Sequence, residues 1–290
     1  MIELMRTKLF LMIAALIVLS ITSCQKDSAL IDQTSVDLAD DEAVTDAVFE
    51  DVFNTADNAT IILDQMGKNG DSKSGMVADS CPVITVIHPS TGIWPKVVTV
   101  DFGAGCEGLN NNIRKGKIVI EVTGPRSTVG SKRTVTFVNY YFNDIKVEGT
   151  KVLENEGFNS NQNPLVSITL TGGKLTLPDG KTIERAFQHQ REWTAGFLTR
   201  NIWDDECLIT GTATGKNING VAYTNTITSA LQWKRACNFL VAGVIKMERT
   251  GKEPVELNYG YGECDAKAVV SRGGESKEIL LKNRHRNMMP

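Results

Sequence analysis

From Cys81 onward the chain is a succession of short runs in which apolar and polar residues alternate. This pattern limits the fold more than any other feature. "KGKIVIEVTG", "KRTVTFVNYYF", "DIKVEGTKVL", "LVSITLTG", "GKLTLP", "GVAYTNTITS", "FLVAGVIKM" and "PVELNYG" are rich in β-branched and aromatic residues, which suit a pleated surface with one face buried. Between them Pro178-Asp179-Gly180, Asn219-Gly220 and Thr250-Gly251 carry hairpin chemistry, with glycine supplying the positive φ that tight turns need. No helical period interrupts the series, so each strand has its sequence neighbour as the nearest partner. The expected fold is all-β: an antiparallel meander of roughly a dozen or more strands, forming a large sandwich or barrel-like sheet.

Two passages of this region echo one another. Cys81 is followed by an apolar strand, a turn and "VTVDFGAGCE" (98–107); Cys237 is followed by an apolar strand, a turn and "VELNYGYGECD" (255–265). "KVEGT" (146–150) and "LITGT" (208–212) repeat the impression, and together they suggest an internal duplication. Matching positions in the two units pair Cys81 with Cys106 and Cys237 with Cys264, leaving Cys207 free, although spacing alone does not fix connectivity. Such bridges presuppose an oxidising compartment.

The N-terminus speaks to the compartment. Arg6 and Lys8 precede an apolar run from Leu9 to Leu19, and Ile21-Thr22-Ser23 leads into Cys24. The run falls short of the roughly 20 residues a membrane-spanning helix needs and suits the core of a signal peptide, residues 1–23. "ITSC" resembles the lipobox of bacterial lipoproteins. The resemblance implies cleavage before Cys24 and acylation of its thiol, with the membrane as a partner, since each buried methylene contributes ~0.8 kcal/mol. Gln25-Lys26-Asp27-Ser28 resembles the export tail of surface lipoproteins from Bacteroidota, which implies the outer membrane and its cell-surface face.

Charge is split unevenly along the mature chain. Residues 25–80 carry thirteen acids against three bases, a net of −10; residues 81–290 carry twenty-six bases against twenty acids, a net of +6. Residues 24–80 therefore read as an acidic tether, and residues 81–290 as the β body. Such a tether can also fold back on the body: within it 40–57 has a helical period, a short amphipathic helix whose stripe reads as a packing face on the β body rather than as a partner-binding face. Val44, Val48, Phe49, Val52, Phe53 and Ala56 fall on one half of the wheel; Asp46, Glu50, Asp51, Asn54 and Asp57 fall on the other. Asp40, Asp41 and Glu42 suit the start of a helix. Residues 67–80 read as a linker.

"GKIVIEVTGP", "FVNYYFNDIKVEGTK", "GGKLTLPDGKTIER", "ITGTATGKNINGVAYT" and "LNYGYGECDAKAVVSRGG" resemble a family of uncharacterised Bacteroidota cell-envelope lipoproteins. The resemblance covers most of the chain from Cys81 on. It implies the location and the β architecture, and it carries no activity.

Residues that could support chemistry are few. His88, His189 and His285 lie far apart, and no close cysteine pair occurs, so neither a metal nor another cofactor is expected. A Walker-type loop and a Gly-x-Ser-x-Gly elbow are absent, "GAGCEG" (103–108) reads as a turn, and no catalytic residue is assigned. Trp203-Asp204-Asp205-Glu206 groups three acids on one segment, whereas glycoside hydrolysis uses two acids facing each other across about 5–9.5 Å; a hydrated loop or a weak calcium ligand set is the simpler reading, and no calcium-loop motif is present. The best binding candidate is an extended 182–194. Alternation would put Arg185, His189, Arg191 and Trp193 on one face with Ile183 and Phe187, a set suited to stacking on sugars and forked bonding of anions. The simpler reading of the same face is an amphipathic strand whose arginines snorkel beside a core Phe187 and Trp193. The leading expectation is a non-enzymatic outer-membrane lipoprotein acting as a binding or scaffolding module, with a glycan or an envelope protein as partner and no nucleic acid. A polysaccharide-acting hydrolase and an envelope lipid carrier are the alternatives.

Overall fold

The computed structural model describes residues 31, 33–68, 81–87, 94–108, 111–197, 199, 201–237 and 240–281. The signal segment, Cys24, residues 69–80, His88 and His285 lie outside them.

Among the described residues, fourteen strands follow one α-helix. The helix α1 spans Gln33–Lys68; the strands are β1 (Val83–Ile87), β2 (Lys96–Asp101), β3 (Cys106–Glu107), β4 (Ile113–Val122), β5 (Lys132–Phe142), β6 (Ile145–Phe158) and β7 (Pro164–Thr176). They continue as β8 (Thr182–Ala195), β9 (Glu206–Lys216), β10 (Ala222–Lys234), β11 (Ala242–Glu248), β12 (Val255–Tyr261), β13 (Lys267–Arg272) and β14 (Glu275–Leu280). All belong to one antiparallel sheet ordered as in the sequence, except that the two-residue β3 pairs with β4 off the main path. The three turns read from the sequence join β7 to β8, β9 to β10 and β11 to β12. In the second, Asn217 Oδ1 accepts hydrogen bonds from the amides of Asn219 and Val221 at 3.1 and 2.9 Å, the local bonding that makes asparagine a turn former.

The meander is as expected. Among the described residues there is one sheet, the barrel-like alternative rather than a sandwich, and it curls without closing into a barrel. Curvature has a local cause. Each pair from β4/β5 through β11/β12 contains a register shift, and none occurs between β1 and β2, β2 and β4, or among β12, β13 and β14. An extra residue in one strand bends the ladder and increases its twist, so the central strands curl while the end strands run regularly. Gly211, opposite His189 in the β8/β9 register, shows the constraint: its φ is +129°, and a Cβ there would lie 2.1 Å from the carbonyl oxygen of Gln188.

The hollow of the curl holds α1. Over 33–68 the segment is thus no solvated tether, and the helix is longer than the short one expected, while the reading of its apolar stripe as a packing face on the β body holds. The helix runs 36 residues, and no residue from Leu38 to Asp64 is exposed. Its apolar stripe (Val44, Val48, Phe49, Val52, Phe53, Ala56) is buried in the same core as Ile118, Val135, Leu153, Ile168, Trp193, Met247 and Leu257 of the strands. Where a sandwich has a second sheet, this fold has a helix. Thr45 and Thr60 sit mid-helix among these residues and donate their hydroxyls to the carbonyls of Asp41 and Ala56, the back-bonding that lets threonine be buried there. Because the helix begins at Gln33, Asp40, Asp41 and Glu42 lie beyond its first turn and are buried within the sheet.

Two disulfides, Cys81–Cys106 and Cys237–Cys264, have Cα separations of 5.7 and 5.4 Å. The first ties the chain ahead of β1 to β3, just beyond β2; the second ties the chain ahead of β11 to the segment after β12. Each therefore staples the open end of one hairpin, as the echoing sequences imply.

Candidate functional site

Alternation does place Arg185, Phe187, His189, Arg191 and Trp193 on one face of β8, with the exposed Glu184, Gln188 and Gln190 on the other. That face is the inner one. Arg185, Arg191 and Trp193 are almost fully buried, so the simpler core reading of this face holds and the open sugar-stacking surface proposed as a binding candidate does not, although the arginines are enclosed rather than snorkelling. The charges find their partners on α1. Arg185 donates from Nη1 to Glu42 Oε2 (2.6 Å) and from Nη2 to Glu42 Oε1 (2.8 Å) and Asp46 Oδ1 (2.9 Å). Arg191 grips Glu50 through both Nη atoms, and its guanidinium carbon lies 3.9 Å from the centre of the Phe53 ring. Trp193 packs against Phe53 and Trp233, with ring centroids 6.5 and 6.2 Å away.

The pattern extends around the curl. Arg114 of β4 forks onto Asp51, to which Tyr140 also donates. Arg133 of β5 donates to Asp57 at 2.8 Å, with Arg126 at 3.6 Å. Arg235, just after β10, donates to Asn58 at 2.6 Å. Burial opposes ionisation of Asp57, but Arg126, Arg133 and Arg235 outweigh it and hold the carboxyl below its usual pKa. Asp46, Glu50, Asp51 and Asp57 thus form a second packing face, where the sequence suggested a solvated one. The acids of α1 and the arginines of the β body meet across this interface.

Between α1 and the strands lies a cavity of about 90 Å³. Ala43, Asp46, Ala47 and Glu50 form its helix side; Lys151, Phe187, His189, Arg191, Trp233 and Tyr259 line the sheet side, with Leu231, Leu240 and Leu281 adding apolar surface. The small Ala43 and Ala47 account for the space on the helix side. Lys151 is 2% exposed, and its Nζ donates to the carbonyl of Phe49 at 2.8 Å. Burial lowers its pKa to about 7, against the attraction of Glu50 and Asp46. His189 stacks on Phe187 at 4.3 Å. Burial, then the charges of Arg185, Arg191 and Lys151, hold its pKa well below the usual value, so the imidazole is neutral. Asp46 is shifted up to about 7 by burial and by Glu42 and Glu50. Two buried donors on this wall, Tyr259 Oη and Arg191 Nε, have no hydrogen-bond partner.

The other sequence candidates take plainer roles. Cys207 is fully buried, 3.8 Å from Arg191 Nη1, and burial pushes its thiol up to about 12, which suits an inert packing residue. In the 203–206 run, Asp205 is buried rather than hydrated, 3.7 Å from Arg235. "GAGCEG" turns at 103–104, as read, and then enters the two-residue β3 at Cys106–Glu107. No group of three metal-ligating side chains occurs among the described residues. Sequence reasoning missed Lys151, Tyr259 and the acids as partners of the sheet. The four-residue spacing of Glu42, Asp46 and Glu50 was the available signal, because it puts three acids on one helix stripe.

Comparison with protein-family models, curated proteins and solved structures returns no match.

Proposed function

We propose that this chain is a lipid-anchored envelope protein of the outer membrane, facing the cell surface, whose β body is a non-enzymatic binding module with its ligand site in the cavity beside α1. The observation that carries the binding reading is convergence: three strands contribute residues with buried donors, Lys151, Arg191 and Tyr259, to the lining of one partly apolar cavity. Small-molecule sites have this character, an apolar lining with a few placed polar groups. At about 90 Å³ the space suits a molecule of a few heavy atoms. A glycan or a full acyl chain would require α1 to move.

The two acids of the cavity wall argue against the hydrolase alternative. Asp46 and Glu50 stand one turn apart on the same helix, and each is bonded to an arginine. Two acids facing each other across a substrate are a different arrangement.

Localisation and binding are tested separately. Cys24→Ala should abolish acylation and release the protein from the outer-membrane fraction; retention there would remove the anchor from the account. For the site, Ala47→Leu would fill the cavity. A screen of small organic molecules by thermal shift should find ligands that stabilise the parent chain and not this variant. Equal stabilisation of both, or of neither, would contradict the cavity as the site.

A further inference from the structure

We propose that the cavity ligand is a small monocarboxylate, held with its carboxylate against Lys151 and Tyr259. The inference rests on the binding-module reading and adds the ligand's chemistry.

The groups facing the cavity are rich in donors. Lys151 has three N–H groups when charged and uses one, on the carbonyl of Phe49. No described carboxylate lies within ion-pair distance of it, and its other close neighbours are the rings of Phe53 and Phe187, 5.4 and 5.7 Å away. Tyr259 Oη and Arg191 Nε are buried with nothing to bond. The acids on the same wall already have cationic partners: both oxygens of Glu50 take Arg191, and Asp46 Oδ1 takes Arg185. A buried donor without a partner is costly. Groups that donate from β6, β8 and β12 around one space therefore call for a ligand that accepts several hydrogen bonds at one end. A carboxylate does this, and its bonds to charged donors are the strong kind. The remaining wall sets the other end. Leu231, Leu240 and Leu281 offer surface to a short alkyl stem. An engineered apolar cavity of about 150 Å³ takes benzene, so this smaller space suits a stem of a few carbons.

The entering charge is accommodated by the wall. Lys151 is faced by Asp46 and Glu50 from α1, by Arg133 from β5, and by His189 and Arg191 from β8. The carboxylate pairs with the Lys151 cation. Asp46, already raised by burial, is the acid that takes up a proton as negative charge arrives. Both responses are lost as pH rises through neutrality, so binding weakens in that direction.

Butyrate is the probe, with butyramide and n-butylamine as matched controls, titrated into the full mature chain by calorimetry and ligand-observed NMR. Butyrate should bind, and binding should weaken on the order of tenfold from about pH 6.5 to about pH 8.5. Lys151→Met, which keeps the length of the side chain, should weaken it about tenfold or more; Tyr259→Phe, which removes one hydroxyl, should weaken it roughly three- to tenfold without loss of fold. If butyramide binds as well as butyrate, the binding module stands and the carboxylate preference falls. If butyrate binds both variants as well as the parent, the placement on Lys151 and Tyr259 is wrong. If none of the three probes binds, the proposal falls, and the broader screen against Ala47→Leu decides the binding reading independently.

Discussion

Arg185 on β8 and Glu42 on α1 form a two-pronged ion pair, 2.6 and 2.8 Å long, with side chains only 2% and 4% exposed. They are 143 residues apart in sequence. The pair joins the helix to the middle of the sheet, and Asn225 of β10 adds a third donor to the same carboxylate at 2.6 Å.

Breaking this pair from one side leaves a buried guanidinium with only Asp46. Glu42→Ala should destabilise the chain by about 3–5 kcal/mol, seen as a lower urea midpoint with an unchanged slope. Combining it with Arg185→Met should recover part of the loss, because an uncompensated charge costs more than a missing pair. A midpoint shift equivalent to less than about 1 kcal/mol for the single variant would mean that the pair is not buried in solution.

Phe53 is fully buried and lies against Trp193, Trp233 and the guanidinium of Arg191. Phe53→Ala should cost about 3–5 kcal/mol through lost burial and the cavity left behind. On a solvated tether the same change would be close to neutral, so thermal or chemical denaturation separates the two arrangements.

Lys151 gives the stability a pH signature. Burial lowers its folded pKa to about 7 from the ordinary 10.5. Between those values the unfolded chain holds the proton and the folded chain does not, so this group makes stability rise with pH across that window. Below about 7 both states hold the proton and the contribution is flat. Lys151→Met should remove the rise and stabilise the protein at about pH 7, where the parent still buries part of that charge. Parallel pH profiles of parent and variant would contradict a buried ammonium.

The cysteines divide into two classes. Each disulfide closes a loop of similar length, with sequence separations of 25 and 27. On the loop-entropy argument each should contribute about 3 kcal/mol, measured as the stability difference between the parent and a paired Cys→Ala variant. Cys207 should resist alkylation at mildly basic pH in the native protein and react once it is unfolded. Native labelling of Cys207, or a peptide map joining it to another cysteine, would contradict the burial and the pairing.

Strand alternation made the β body legible, and the echoing hairpins made both bridges legible, because each depends on residues close in sequence. The alternation of 182–194 also told correctly which residues share a face. It could not say which face points inward. Arg185 and Arg191 look like surface residues until Glu42, Asp46 and Glu50 come to them from a distant helix, and no local pattern carries that pairing. The helix shows the same limit. Its apolar stripe was visible over 40–57, but burial on its acidic side depends on a basic wall that curls around it. The opposite charges of the two halves were the long-range clue, and their sum alone did not distinguish a solvated leader from an enclosed one. The cavity was not legible at all, since Lys151, His189 and Tyr259 come from three strands whose register shifts set how tightly the sheet bends.

The central claim is that α1 lies inside the curled sheet, held by its acids as well as its apolar stripe. Hydrogen exchange followed by mass spectrometry on the intact mature protein tests this most directly. Peptides covering 38–64 should exchange as slowly as those from β6 to β9, and Glu42→Ala should speed exchange in both regions together. Exchange of 38–64 within seconds, while the strands stay protected, would show a free leader and contradict the account.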